Sequence, residues 1–438
     1  MKAYRSYVQH LERLATVSPE QRGDWRQMAT LALDGEPGRK LAEVIDLESR
    51  REMGAFFTGV TLAREAIARP KHKPGRTRFF DPTCGAGDLL LAATRYLPIC
   101  GSLQATLDLW GTRLAGWDIR PEFVRAAKAR LALMALHRGA HLSRNERLDL
   151  HSVFPLIAVG NGLRAHAGYP EADWVVMNPP FGYMDAPEGC GWTSGKTTAA
   201  AIFFEACLEH SANGTRITAI LPEVLRSGTR YRGWRQMVAK QALINRIKPY
   251  GLFDQSTDID VFILDVIRRP NGTVSRQKRW TGSDVLGLTK VKGLFAVHVG
   301  PVVPHRHRPA GPAVPYIHAR AIPPWKRVEV IMEQRRFNGS LFIPPFVAIR
   351  RTSRPEDAYR ATATLITGHR PVAVENHLIV CCPRDGTITT CQQLLRQLRK
   401  DETNNWLNAR IRCRHLTVAA IEELPMGKDS PSEANRRL

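Results

Sequence analysis

The chain has 438 residues, 43% of them hydrophobic and 24% charged, and a formal net charge of +22. That length accommodates more than one core, and the composition is that of a globular chain with no apolar run long enough to cross a bilayer and no apolar signal segment. Eight cysteines without regular spacing point to reduced thiols and a cytoplasmic setting. So large a positive surplus makes nucleic acid the expected partner; no Lys/Arg-rich amphipathic helix speaks for a membrane surface.

In chain order, Tyr4, Tyr7, Val8, Leu11, Leu14 and Ala15 recur at helical spacing. Ser18-Pro19-Glu20 reads as an N-cap with proline opening a second helix, so residues 1–50 form a helical cap. After Phe57-Thr58-Gly59, a helix over Leu62–Ala68 and a basic loop at 71–76, a strand over Arg78–Asp81 enters the turn Pro82-Thr83-Cys84-Gly85-Ala86-Gly87, and a helix starts at Asp88. A second strand, Arg113–Trp117, ends at Asp118, and Pro121 opens a helix running to His137. Arg147–His151 supplies a third strand and Asp173–Met177 a fourth, buried one. Asn178-Pro179-Pro180-Phe181 then leaves the carboxyl edge of that strand in a stiff turn, because proline donates no N–H and fixes its own φ. Glycines mark 182–198 as a mobile loop. A helix over Thr198–His210, a strand over Arg216–Pro222, a helix over Tyr231–Ala242 and strands at Ile244–Ile247 and Asp260–Ile267 complete a doubly wound α/β domain. The prolines at 301–324, with His305-Arg306-His307-Arg308 among them, mark a separate mixed α+β module from 270 to 425, and the polar residues 426–438 read as a disordered tail.

The turn Cys84–Gly87 lets a ligand approach the backbone closely. It lacks the third glycine of the dinucleotide fingerprint, since Leu90 stands there. With Asp81 ahead of the turn and Asp118 placed to accept both ribose hydroxyls, and nothing nearby to clamp a pyrophosphate, adenosine without phosphates fits better than NAD; S-adenosylmethionine is such a ligand. Taken in order, Phe57-Thr58-Gly59, Asp81–Gly87, Asp118 and Asn178–Phe181 resemble the N6-adenine DNA methyltransferases of bacterial restriction-modification systems over residues 50–268, and in particular those whose target-recognition region follows the catalytic domain. Ile217–Leu221, Phe253-Asp254 and Val261–Leu264 look like that family's later strands; Glu375–Val380 with Asn405–Asn408 is similar to its recognition region. The resemblance implies a Rossmann-like, S-adenosylmethionine-dependent catalytic domain at 51–269 and a target-recognition module at 270–425. It implies cofactor contacts from Phe57, Thr58, Asp81, Cys84, Gly85, Gly87 and Asp118. Methyl transfer to N6 of adenine in double-stranded DNA would use Asn178, Pro179, Pro180 and Phe181. The exocyclic amine is a poor nucleophile, because its lone pair is delocalised into the ring; the Asn178 side-chain oxygen and the Pro179 carbonyl can accept its two N–H groups, while Phe181 stacks on a base flipped out of the duplex. The family places an acid near the cofactor adenine after the third strand, for which Asp149, His151 and Ser152 are all candidates.

Other signals are weaker. Gly195-Lys196-Thr197 lacks the first glycine of a phosphate loop, since Cys190 is there. No Pro-Cys pair offers a nucleophile for cytosine carbon-5, and Cys381, Cys382, Cys391 and Cys413 with His377 and His415 lack paired metal-ligand spacing, so no metal is expected. No nuclease core stands out, leaving a cognate restriction endonuclease or a specificity subunit as the partner class that would cleave or target. Two other readings stay open: a methyltransferase acting on ribosomal RNA or protein glutamine, and a non-catalytic DNA-binding subunit of a defence complex.

Overall fold

The computed structural model describes residues 1–17, 23–68, 75–143, 148–164, 168–254, 257–270, 280–281 and 288–427. The expected N-cap at Ser18–Glu20, most of the basic loop at 71–76 and nearly all of the tail fall outside them. The chain divides into two compact units, Met1–Arg226 with Arg230–Lys278, and Ser227–Thr229 with Arg279–Leu438.

In the first unit, helices α1 (Lys2–Ala15), α2 (Trp25–Leu33), α3 (Glu36–Val44), α4 (Leu47–Met53) and α5 (Val60–Ala66) precede β1 (Phe79–Asp81). Then come α6 (Asp88–Thr94), α7 (Leu103–Gly111), β2 (Leu114–Asp118), α8 (Pro121–His137), β3 (Ile157–Val159) and β4 (Trp174–Met177). A hairpin of β5 (Tyr183–Asp185) and β6 (Lys196–Thr198) leads into α9 (Ala199–His210), β7 (Arg216–Pro222), α10 (Glu223–Ser227), α11 (Arg232–Gln241), β8 (Ala242–Leu252) and β9 (Asp260–Arg268). Seven strands form one sheet in the order β3-β2-β1-β4-β7-β9-β8. The first five run parallel, and β9 and β8 close it as an antiparallel hairpin. This is a mixed α/β fold around a mostly parallel sheet. Every residue of β4 and β7 is buried; β4 reads as a continuous apolar run for that reason, whereas β7 also buries Arg216, paired with Asp265, and Thr218, whose hydroxyl accepts the Trp174 indole N–H at 2.9 Å.

The order of the strands positions the site. From β1 the chain winds outward through β2 and β3, then returns to β4 on the other side of β1. Strands β1 and β4 therefore flank the point where the winding reverses, and ligands of open α/β sheets bind outside the carboxyl ends of strands at such a point. Phe79 and Phe80 pair with Trp174 and Val175, so Asp81 and Asn178 emerge side by side from neighbouring strand ends. Helix α8 buries Phe123, Ala126, Leu131 and Leu133 among others because it packs on α1 and α2 as well as on β2 and β3. Tyr4, Val8, Leu11 and Leu14 of α1 join the same core.

Two expectations need correction. The third strand is Ile157–Val159, not Arg147–His151. Leu148 and Leu150 mimic strand alternation, but the Asp149 carboxylate accepts the His151 N–H at 2.9 Å, which closes a local turn instead of leaving the backbone for a ladder. Secondly, the stretch 182–198 is not merely a loop: Tyr183–Asp185 pairs antiparallel with Lys196–Thr198. Lys196 and Thr197 of the phosphate-loop decoy are thereby strand residues.

In the second unit, α12 (Val291–Leu294), β10 (Phe295–Val299), β11 (Ala313–Ile317), β12 (Arg327–Val328), β13 (Gln334–Arg336), β14 (Phe346–Arg350), β15 (Ala363–Ile366), β16 (Ala373–Val374) and β17 (Leu378–Pro383) precede α13 (Ile388–Leu398), α14 (Asp401–Arg410) and α15 (Val418–Glu422). A five-stranded sheet, β10-β17-β14-β15-β12, lies beside a three-stranded one, β13-β11-β16. Alternation in β14 and β17 sends Val347, Ile349, Ile379 and Cys381 to a core shared with Leu394, Leu407 and Ile421, and Phe346, Ala348, Leu378 and Val380 to a second core with Ile317 and Ile322. Cys381 and Cys391 are buried free thiols. Among the described residues, no helix of either unit is long and apolar enough to cross a membrane.

Candidate active site

A cleft of about 740 Å³, counting its open mouth, lies at the carboxyl edge of β1, β2 and β4. It gathers Phe57, Thr58, Asp81, Cys84, Gly85, Asp118, Asn178 and Pro180 from the residues that the sequence singles out. Gly87, Pro179 and Phe181 are not in its wall. Gly87 caps α6 in a left-handed conformation, Pro179 is buried, and Phe181 meets Phe253 edge-on at 5.5 Å between ring centroids.

The turn after β1 is fixed from several sides. The Cys84 N–H donates to the Trp117 carbonyl at 2.8 Å, and the Gly85 N–H donates to the Asp118 carboxylate at 3.1 Å. Gly85 has φ +52°, and a Cβ there would sit 3.0 Å from the Phe57 ring; only glycine lets the turn lie against that ring without strain. On the other wall, Gly54 has φ +62° and a Cβ would fall 2.5 Å from Cβ of Pro180, so the end of α4 and the Asn-Pro-Pro turn touch backbone to ring.

Three acids line the cleft of this basic chain: Asp81, Asp88 and Asp118. Burial raises the Asp118 carboxyl above its ordinary value, against N–H bonds from Arg120 and Gly85 that favour its charged form. Burial pushes Asp81 up to about 8, again against bonds from Thr83. A carboxyl whose pKa rises on folding contributes stability that is fully present below its unfolded value of 3.8 and is lost as pH climbs through about 8. Asp81→Asn retains an oxygen for the Thr83 N–H. It is expected to melt well above the wild type at pH 9 and at nearly the same temperature at pH 4. Equal melting at pH 9 would show that the carboxyl ionises without cost.

Asn178 is held by its NH2 group, which donates to the Thr58 hydroxyl at 3.0 Å and to the Phe56 carbonyl at 3.4 Å. Its oxygen is buried and has no partner among the described residues. An acceptor left so costs about 1–3 kcal/mol, a cost that a donor entering the cleft would relieve.

Sequence reasoning missed the support beneath this wall. Arg130, wholly buried on α8, pairs with Asp88 at 2.8 Å and donates to the carbonyls of Ala86 at 2.6 Å and Ala32 at 2.9 Å. The other oxygen of Asp88 accepts the Gly59 N–H at 2.9 Å. The one arginine in the Ala/Leu-rich run 126–136 was the available signal. Asp149 and His151 do not reach the cleft; they line a separate groove with Glu12, Arg13 and Arg125. Gly160, Asn161 and Gly162 follow β3 and line the cleft, Asn161 with a polar side chain.

A mostly parallel sheet with a glycine turn and an acid at the ends of its first two strands is the α/β class of methyltransferase domain. The chain belongs to the N-6 DNA Methylase family, whose model matches residues 43–278, just over half of it. No curated protein matches the chain. Among solved structures, the type IIL restriction-modification enzyme MmeI, in complex with DNA, shares the fold with a TM-score of 0.54 and 12% identity, over 88% of this chain and 70% of MmeI. The type I restriction enzyme EcoKI M protein gives 0.37 and 20% identity, over 60% of this chain and 57% of that one. A protein described as a type I modification subunit from Vibrio vulnificus YJ016 gives 0.38 and 18%, over 57% and 53%. The chain thus spans little more than half the length of these two modification subunits.

Proposed function

We propose that this chain transfers the methyl group of S-adenosylmethionine to the N6 amino group of adenine in double-stranded DNA, as the modification component of a restriction-modification or related defence system. The observation that carries this reading is the buried, unpartnered Asn178 oxygen in the wall of the cleft, an acceptor waiting for an amine. Family membership supports it.

The residues present suit the cofactor. The Asp118 carboxyl in the wall of the cleft suits the hydroxyl groups of a ligand, and the Gly85 turn, packed against the Phe57 ring, brings main chain to the cleft wall. Asp118 would hold the ribose hydroxyls; Asp81, Cys84 and Gly85 would line the adenosine side, and Phe57 the methionine side. When bound, S-adenosylmethionine supplies an electrophilic methyl group. The chain's own part is to hold and polarise the acceptor. Asn178 Oδ1 and the Pro179 carbonyl accept the two amine hydrogens, so electron density stays on nitrogen, while Phe181, braced by Phe253, offers a ring to a base flipped from the duplex. Positioning supplies most of the rate. The second unit would read the target sequence; its exposed Arg306, Arg308, Arg320 and Arg370 suit phosphate contacts. A restriction endonuclease or a specificity subunit is the partner class this implies.

The test offers purified protein and methyl-labelled S-adenosylmethionine, in parallel, unmethylated genomic DNA, RNA and protein acceptors, followed by nucleoside and amino-acid analysis. Label in N6-methyladenine is expected; label only in RNA or protein acceptors would overturn the reading. Asp118→Ala is expected to weaken cofactor binding about 10–100-fold, the loss of hydrogen bonds to a charged acceptor. Unchanged affinity in a calorimetric titration would place the ribose elsewhere.

A further inference from the structure

A carboxamide can face a cleft in two ways. Its nitrogen and its oxygen are similar in size, yet only the oxygen can accept a hydrogen from an amine. At Asn178 two neighbours bear on the choice. The Phe56 main-chain oxygen can only accept, and it lies 3.4 Å from Nδ2. A half-turn of the amide would set oxygen against oxygen there. The Thr58 hydroxyl makes the shorter contact with the same nitrogen, 3.0 Å, and it is held from below. Thr58 is only 9% exposed, and the next residue, Gly59, is pinned by its N–H to Asp88, itself fixed by the buried Arg130.

We infer that Thr58 is a positioning residue for methyl transfer: with the Phe56 carbonyl it locks the Asn178 amide so that its oxygen, not its nitrogen, meets the acceptor amine. This rests on the role given to Asn178 above and moves the main task of Thr58 from the cofactor to the acceptor. The Phe56 carbonyl sets the sense of the amide, and the Thr58 hydroxyl supplies most of the hold. A swinging amide would offer the incoming amine a donor for part of the time, which is repulsive, and would widen the distribution of acceptor positions.

The test compares the full chain with Thr58→Val, which keeps the shape and loses the hydroxyl, and Thr58→Ser, which keeps the hydroxyl. Thr58→Ala serves if the valine variant fails to fold. Turnover is measured on unmethylated genomic DNA, and S-adenosylmethionine affinity by calorimetry. Solvent exchange is followed by NMR at the side-chain amide pair that disappears in Asn178→Asp. Expected for Thr58→Val are a fall in kcat of about ten-fold, the loss of one neutral hydrogen bond, cofactor affinity within about two-fold of wild type, and faster exchange at the Asn178 amide; Thr58→Ser restores kcat and slow exchange. A large loss of cofactor affinity with kcat unchanged would make Thr58 a cofactor contact and overturn the inference, and so would unaltered amide exchange. If the wild type methylates no DNA, the functional reading fails instead, while the exchange measurement still reports on the lock.

Discussion

Asn178→Ala is expected to lower methyl transfer into DNA by about 10²–10³-fold, the range seen when one preorganised hydrogen-bonding group is removed from a reaction centre, while the protein binds S-adenosylmethionine as tightly as before. The separation follows from the geometry. The groups that face the cofactor side, Asp118 and the Gly85 turn, are tied to each other and to Trp117, and none of those bonds passes through Asn178. The acceptor side depends on a single side-chain oxygen that no other described residue engages. Stability should barely move: the substitution gives up two hydrogen bonds to Thr58 and Phe56 but also removes a buried unpaired acceptor. Turnover, calorimetric affinity and melting temperature together check this. If the variant melts far lower and loses cofactor as well, Asn178 serves the fold rather than the chemistry.

What could be read from the sequence is what local chemistry dictates. Trp174–Met177 is an unbroken apolar run stopped by two prolines, so both the buried strand and the stiff turn after it were legible. So was the turn from β1 into α6, because glycines there sit between the Phe79-Phe80 pair and the apolar Leu89-Leu90-Leu91 run. The third strand was hidden for the opposite reason. Ile157-Ala158-Val159 is only three residues long at the edge of the sheet, and Val159 is 56% exposed, while Leu148 and Leu150 nearby offer a better imitation of alternation. The hairpin after the Asn-Pro-Pro-Phe turn was masked by composition, since Lys196-Thr197-Thr198 has no apolar signature and its pairing with Tyr183–Asp185 is a tertiary fact. The support of the site was the least legible. Arg130 reaches Ala32 across 98 residues and Asp88 across 42, and no window of sequence contains both ends of such a contact.

That support makes Arg130→Met the substitution with the largest expected effect on stability, about 3–5 kcal/mol. The methionine fills much of the volume, but the Asp88 carboxylate, 6% exposed, loses its ion-pair partner, and the carbonyls of Ala32 and Ala86 lose their donor. At about 2–4 °C per kcal/mol for a unit of this size, the melting temperature should fall by about 6–20 °C. Arg130→Lys is expected to recover only part of this, because a single ammonium cannot present a planar fork to several acceptors at once. The double variant Arg130→Met/Asp88→Leu separates two roles that the single variants confound. With both charges gone no unpaired ion is left buried, so stability should partly return. The Gly59 N–H has still lost Asp88, however, and the Phe57-Thr58 wall of the cleft hangs from that bond. Cofactor affinity should therefore stay low while the melting temperature recovers. If both recover together, the pair serves only to hold the core; if neither does, its cost lies in packing, and the wall of the cleft is set by something other than Asp88.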